Sequence, residues 1–144
     1  MTTETIFNII PSLIAALAFI WGVFSYRNQM HAQLFMEFTK RFEEVMQSFP
    51  KNAWSARFDI DGKSPAKSKE LSLSVLRYLN LSSEEYYLQK NRWLPKEVWK
   101  IWEGELIRTL RSPLFIREWE KLSKEFETYP EFTKYVNDKQ KNVK

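Results

Sequence analysis

The densest group of polar side chains in this sequence is the run Ser82-Ser83-Glu84-Glu85-Tyr86-Tyr87, which interrupts an otherwise apolar stretch. A glutamate here, Glu84 or Glu85, could act as a general acid, as a metal ligand or as the partner of a buried arginine. Arg77 precedes Glu84 by seven residues, so their side chains share one face of a helix. The sequence therefore nominates Arg77, Glu84, Glu85 and Tyr87 as a candidate polar cluster.

The same run has a structural interpretation. Ion pairs between a glutamate and an arginine such as Arg77 or Arg92 are common on helix surfaces and perturb titration without any catalytic role. No second motif in the sequence converges on Glu84 and Glu85. The sequence therefore favours the structural interpretation, an exposed helix face with two tyrosines packing inward, and not a reactive site.

Other reactive constellations are missing. The single histidine, His31, cannot build a multi-histidine metal site, and the chain has no cysteine. The acid pairs Glu103/Glu105 and Glu118/Glu120 are spaced by two residues on predicted helices, so their members point in different directions. With only three glycines, phosphate-cradling loops are absent. The sequence predicts no enzyme activity, no cofactor and no metal site.

The abundant aromatic residues do not indicate a nucleic-acid surface. The chain has 6 tryptophans and 11 phenylalanines. Base stacking needs exposed aromatic side chains between Lys and Arg on one surface, whereas most of these lie on apolar helical stripes. The formal net charge is only +4. No nucleic-acid partner is expected.

An uncharged apolar run, residues 6–26, precedes these elements. Glu4 and Arg27 flank it. As a helix it would be roughly 30 Å long, the thickness of a bilayer core. The segment before it lacks the basic residues of a cleaved signal peptide. The sequence predicts a single membrane-spanning helix.

The basic residues near this run all follow it. Arg27, Lys40 and Arg41 come after residue 26, and none precedes it. The positive-inside rule then places the N-terminus outside and the remaining chain in the cytoplasm. The predicted location is a membrane, with the lipid bilayer as one partner.

Small residues form a stripe along the predicted span. Pro11, Ala15, Ala18, Gly22 and Ser25 are spaced by four, three, four and three residues. Such a stripe lets two helix backbones approach closely and predicts self-association, although Ala and Gly are also common in spanning helices. A homo-oligomer is therefore one of two interpretations of this pattern.

The chain after the span reads as helical throughout. We predict an anchor at 1–26, an amphipathic helix continuing from it at 27–49, a loop at 50–67, a helical bundle at 68–137 and a frayed basic tail at 138–144. The segment 27–49 could join the core, form a stalk or lie on the membrane, and we favour the core. The fold class is all-α: one transmembrane helix and a bundle of about four to five helices.

Turn and capping residues set the predicted boundaries within this region. Pro50 ends the amphipathic helix, and Pro95 suits a first helical position. Ser112 followed by Pro113 is an N-cap and a restart signal. The segment 128–131 resembles a capping box before a last short helix.

Several segments resemble a group of small bacterial proteins of unknown function. They are the run from Arg77 to Leu88, Trp93-Leu94-Pro95, the run from Val98 to Trp102, Ser112-Pro113, Trp119 and Phe132. The resemblance implies a bacterial origin, an N-terminal helix in the inner membrane and a helical cytoplasmic domain. It implies no activity.

Three functions are consistent with this organisation. The first is a membrane-anchored protein whose helical domain binds a protein partner or scaffolds an assembly, and it predicts an exposed apolar patch. The second is a ligand-sensing or enzymatic domain centred on Glu84 and Glu85, which predicts an enclosed pocket and a shifted carboxyl pKa. The third is an accessory subunit of a larger membrane complex, with Asn8 as the polar contact within the span.

Overall fold

The described part of the chain folds into five α-helices. The computed structural model describes residues 3–59 and 61–141, with side chains from residue 11 onward. The helices are α1 (Thr3–Ser48), α2 (Lys69–Lys90), α3 (Lys96–Leu110), α4 (Pro113–Leu122) and α5 (Pro130–Lys141). Short 3₁₀ turns occupy Lys51–Ala53 and Ser123–Phe126, and no strand occurs in the described part. The predicted all-α class is confirmed.

The helix starts follow from local capping chemistry. The Ser68 hydroxyl accepts a hydrogen bond from the Leu71 amide, which satisfies one of the free N–H groups of α2. Ser112 does the same for α4 by accepting from the Phe115 amide, with proline in the next position. These caps fix where α2 and α4 begin, and thereby which side chains face the interior.

The last helix extends beyond the residue at which the sequence predicts a frayed tail. α5 continues to Lys141, and residues 142–144 lie outside the described part. The Gln140 side-chain amide donates to the Leu110 carbonyl at 3.1 Å, and the Arg111 guanidinium donates to the Lys139 carbonyl at 3.2 Å. These two contacts tie the helix end to the end of α3, so residues 138–141 are helical.

The chain divides into two compact units, Met1–Met36 and Glu37–Lys144. In the first unit, large apolar side chains are exposed around the whole circumference of the helix. The most exposed are Trp21 at 77%, Phe19 at 73% and Met36 at 71%. This surface is unlike that of an ordinary amphipathic helix, which buries one face and solvates the other.

The predicted membrane span, residues 6–26, begins outside the described side chains, which start at residue 11. Among the residues that the structure describes, no helix is both long enough and apolar enough to cross a membrane.

The second unit has a continuous aromatic and aliphatic core. Phe115, Phe132 and Leu114 are fully buried. Met46 in the last turn of α1 and Phe49, directly after the helix, belong to this core. Phe42 and Val45, about two turns and one turn before Phe49, pack against the same core. Each such buried side chain contributes about 1.5–3 kcal/mol through removal of apolar surface from water.

The loop between α1 and α2 is held by a buried ion pair. Glu118, 4% exposed, accepts hydrogen bonds from the Ser72 hydroxyl at 2.7 Å and from the Arg117 guanidinium at 2.7 Å. Arg117 also donates to the Pro65 carbonyl at 2.6 Å. A buried carboxylate needs such partners, because an unpaired charge in the interior is costly. This pair links the end of the loop to α4.

Candidate ligand-binding site

A cavity of about 350 Å³ lies within the second unit. Its walls come from the last turns of α1, from α2, from α3 and from the loop that follows α1. Ligand sites of this size are usually apolar clefts with a few convergent polar groups. The side chains that line this cavity have that composition.

The α2 wall consists of Tyr78, Leu81, Ser82 and Glu85. These four residues are spaced by three, one and three positions, so one helical face carries them all inward. Glu85 and Ser82 are one turn apart and only 8% and 3% exposed. A polar pair therefore lies on the wall of an otherwise apolar space.

The α1 wall is mainly aromatic and includes Phe38 and Phe42. The α3 wall includes Trp102, and the ring of Trp102 lies 5.6 Å from that of Phe38. Ile101 is 71% exposed and also lines the cavity, which places it at the opening. Aromatic surface thus reaches the cavity from both helices that flank α2.

Arg57 enters the cavity wall from the loop. Its guanidinium donates to the Glu105 carboxylate of α3 at 3.0 Å and lies 5.4 Å from the centre of the Phe42 ring. The Arg57 Nε is buried and has no hydrogen-bond partner among the described residues. Because Glu105 already balances its charge, Arg57 does not act as the counter-ion of Glu85.

Glu85 is the distinctive group of this cavity. None of the hydrogen bonds or ion pairs among the described side chains involves its carboxyl group, and the carboxyl oxygens are not sealed in the interior but open onto the cavity. Burial raises the pKa of Glu85 from 4.5 to about 8, the nearby Arg41 opposes this rise, and Glu84 adds to it. At neutral pH the carboxyl is largely protonated, so it can donate a hydrogen bond or lose its proton to meet a cation.

The neighbouring acid, Glu84, faces the other way. Its carboxylate accepts two hydrogen bonds from the Arg41 guanidinium, at 2.6 and 2.8 Å. The hydrogen bond with Glu84 raises the pKa of Arg41. Both side chains are more than a third exposed, so this pair contributes at most about 1 kcal/mol to stability. Arg41 and Glu84 neutralise each other outside the cavity lining.

The structure does not bring the predicted cluster of four together. Arg77 is exposed, and Tyr87 is 48% exposed with its ring edge-to-face against Trp93 at 6.0 Å. Glu84 pairs with Arg41 at the surface, and only Glu85 enters the cavity. The face shared by Arg77 and Glu84 is the outer face of α2, because Tyr78 and Leu81 take the inner one.

The small-residue stripe lies open. Ala15, Ala18 and Gly22 are exposed and Ser25 is partly buried. A Cβ atom placed on Gly22 would meet no atom within 4 Å, so no packing within the described chain requires a glycine there.

Several cavity residues were not nominated from the sequence. The signal for Ser82 was available, since it lies three residues before Glu85 and four after Tyr78. Arg57 carries no such signal, because a loop residue has no periodicity that would place it against Glu105 of α3. Trp102 follows an apolar stripe, and its position between core and cavity depends on tertiary packing.

The side chains of this site are suited to binding an organic molecule. In the described part of the chain, no three or more acid or histidine side chains converge as metal ligands would. A single protonatable carboxyl and a serine hydroxyl among aromatic walls can orient an organic molecule. No family model, curated protein or solved structure matches this chain. The fold and the cavity define a class only: an all-α domain with a buried acid in a ligand-sized space.

Proposed function

We propose that residues 37–141 form a ligand-binding domain that takes a small organic molecule into the Glu85 cavity. One observation carries this proposal: the carboxyl group of Glu85, a residue only 8% exposed and without an ion-pair partner among the described residues, lines a space of about 350 Å³. Because this carboxyl group opens onto the cavity, it can form a hydrogen bond with a molecule that enters. The domain would then act as a sensor or carrier of that ligand.

The test is fragment binding to the full-length chain in neutral detergent, followed by ligand-observed NMR. The matched pair of variants is Ser82→Leu and Ser83→Leu. Ser82 lines the cavity, whereas Ser83 does not, and its hydroxyl bonds the Asn80 carbonyl instead. We expect fragments to bind the unaltered chain and the Ser83 variant, and to lose binding to the Ser82 variant because leucine fills the space.

Circular dichroism on both variants separates lost binding from lost folding. Retained binding in a folded Ser82→Leu variant would place the fragments elsewhere and would refute the proposal. Binding that weakens equally in both variants would do the same.

We further propose that residues 6–26 anchor this domain in a bacterial inner membrane, with the N-terminus outside and the domain in the cytoplasm. Support comes from the uncharged run between Glu4 and Arg27 and from the exposed apolar side chains of residues 13–26. Carbonate washing of membranes tests the anchor, and protease protection in inverted vesicles tests the orientation. Release by carbonate would reject the anchor.

A second candidate function is protein–protein interaction or scaffolding by an anchored domain. It is favoured by exposed aromatic side chains on the second unit, among which Tyr87 and Trp93 form an edge-to-face pair. The partner would be another protein, a second copy of this chain or a larger membrane complex to which this chain is an accessory subunit. Purification from native membranes in mild detergent, with sizing of the product, tests this candidate. A lone monomer would refute it.

A further inference from the structure

No described side chain in the lining of the Glu85 cavity supplies a positive charge that is not already paired with another acid. The titratable and charged groups around Glu85 are Tyr78, Glu105 and Arg57 in the cavity lining, and Arg41 and Glu84 just outside it. The charged groups among these neighbours are already paired: Arg41 with Glu84 at 2.6 Å, and Arg57 with Glu105 at 3.0 Å. Glu85 is therefore the only acid among the described cavity residues without a cation.

The aromatic walls also accommodate cations. The Arg41 guanidinium carbon lies 5.2 Å from the centre of the Phe38 ring, and that of Arg57 lies 5.4 Å from the Phe42 ring. Such distances are typical of attraction between a cation and an aromatic ring. Tyr78 and Trp102 add two further rings to the lining. The cavity surface is thus electrostatically suited to positive charge.

An anionic ligand is disfavoured by the same arrangement. Both guanidinium groups near the cavity are engaged with carboxylates, so an anion would have to displace Glu84 or Glu105 from its partner. It would also hold Glu85 in its protonated form. A neutral ligand would gain a hydrogen bond from Glu85 but would not use the aromatic walls electrostatically.

We propose that the ligand of this cavity is an organic amine whose ammonium group pairs with the Glu85 carboxylate and whose apolar body lies against the aromatic walls. This inference rests on the proposed ligand-binding function and specifies its ligand class. Binding transfers the Glu85 proton to solvent, because the ammonium stabilises the ionised carboxylate.

The proton release makes the proposal quantitative. With the pKa of Glu85 at about 8, about 0.9 proton should leave per amine bound at pH 7. The association constant should rise about tenfold from pH 6 to pH 7, and flatten above pH 8.

The experiment is isothermal titration of the full-length chain, in neutral detergent, with three probes of similar size: phenethylamine, phenethyl alcohol and hydrocinnamate. Each probe is titrated at several pH values and in buffers of different ionisation enthalpy. Glu85→Gln removes the ionisable acid while keeping the side-chain size. Glu120→Gln is the matched control, because Glu120 is exposed on α4 and does not line the cavity.

We expect phenethylamine to bind at least tenfold more tightly than the other two probes at pH 8, with proton release at pH 7. We expect this preference to disappear in Glu85→Gln and to persist in Glu120→Gln. Equal binding of amine and alcohol without proton release would overturn the amine class and leave the ligand-binding function standing. Preference for hydrocinnamate would also overturn it. Failure of all three probes to bind the folded chain would overturn both proposals.

Discussion

The buried acid makes the stability of the second unit depend on pH in a direction opposite to that of most carboxylates. In the folded chain the pKa of Glu85 is about 8, whereas an unburied glutamate has a value of 4.5. Between these two values the folded state holds a proton that the unfolded state has lost. The stability contributed by the neutral acid is therefore fully present below pH 4.5 and is lost as the pH rises to about 8.

The magnitude follows from the size of this shift. Integration of the proton difference from pH 5 to pH 8 gives a loss of about 3 kcal/mol. Typical domains are stable by only about 5–15 kcal/mol, so the loss is a large fraction of the total. Glu85→Gln keeps the shape and cannot ionise, so its free energy of unfolding should not show this loss. The difference in free energy of unfolding between the variant and the unaltered chain should be about 3 kcal/mol larger at pH 8 than at pH 5, in favour of the variant.

Urea unfolding of both proteins, monitored by tryptophan fluorescence at pH 5 and pH 8, measures this difference. With a denaturant slope of roughly 1–3 kcal/mol per molar, the midpoints at pH 8 should separate by about 1–3 M. Glu120→Gln removes an exposed acid and should leave the pH dependence unchanged. A separation between Glu85→Gln and the unaltered chain that is the same at both pH values would show that Glu85 ionises normally, and would refute the reasoning.

Four further substitutions have defined outcomes. Arg41→Met removes the cation that lowers the pKa of Glu85, so this pKa should move further upward in carbon-13 NMR titrations of the carboxyl group. Glu84→Gln removes a neighbouring acid and should move the same pKa downward. Shifts of the same sign in both variants would contradict the assigned electrostatics. Ser112→Ala removes the N-cap of α4 and should lower the free energy of unfolding by about 1 kcal/mol in urea titrations, and an unchanged value would show that the cap is dispensable. Gly22→Leu should weaken self-association in membrane crosslinking without changing the urea midpoint, since no neighbouring atom restricts that position; unchanged crosslinking would remove the stripe as an association surface.

Local signals in the sequence account for much of the fold. Ser112 and Pro113 marked the start of α4 because the hydroxyl acceptor and the missing amide suit a helix N-terminus whatever surrounds it. The stop at Pro50 follows from the same kind of backbone rule. The end of α5 could not be predicted in this way, because the hydrogen bonds of Gln140 and Arg111 that hold it join residues about thirty positions apart.

The candidate site was only partly accessible from sequence. The polar run on α2 pointed to the correct turn of helix, but the choice between Glu84 and Glu85 depended on which face α1 and α3 would cover. Helical phase relative to Tyr78 contained that information, since Glu85 lies seven residues later on the same face. The pairing of Arg57 with Glu105 could not be predicted from the sequence, because it depends on the path of a long loop.

Different residues form the core and the opening of the cavity, and this separation affects how the domain can change over evolutionary time. Phe115, Phe132 and Leu114 are fully buried and do not line the cavity, whereas Ile101 and Thr39 line it and are exposed. Substitutions at the opening can therefore alter which molecule enters while the packing that maintains the fold stays intact. Descendants of this chain could diverge in ligand preference by drift at a few rim positions, with Glu85 kept as the shared point of attachment.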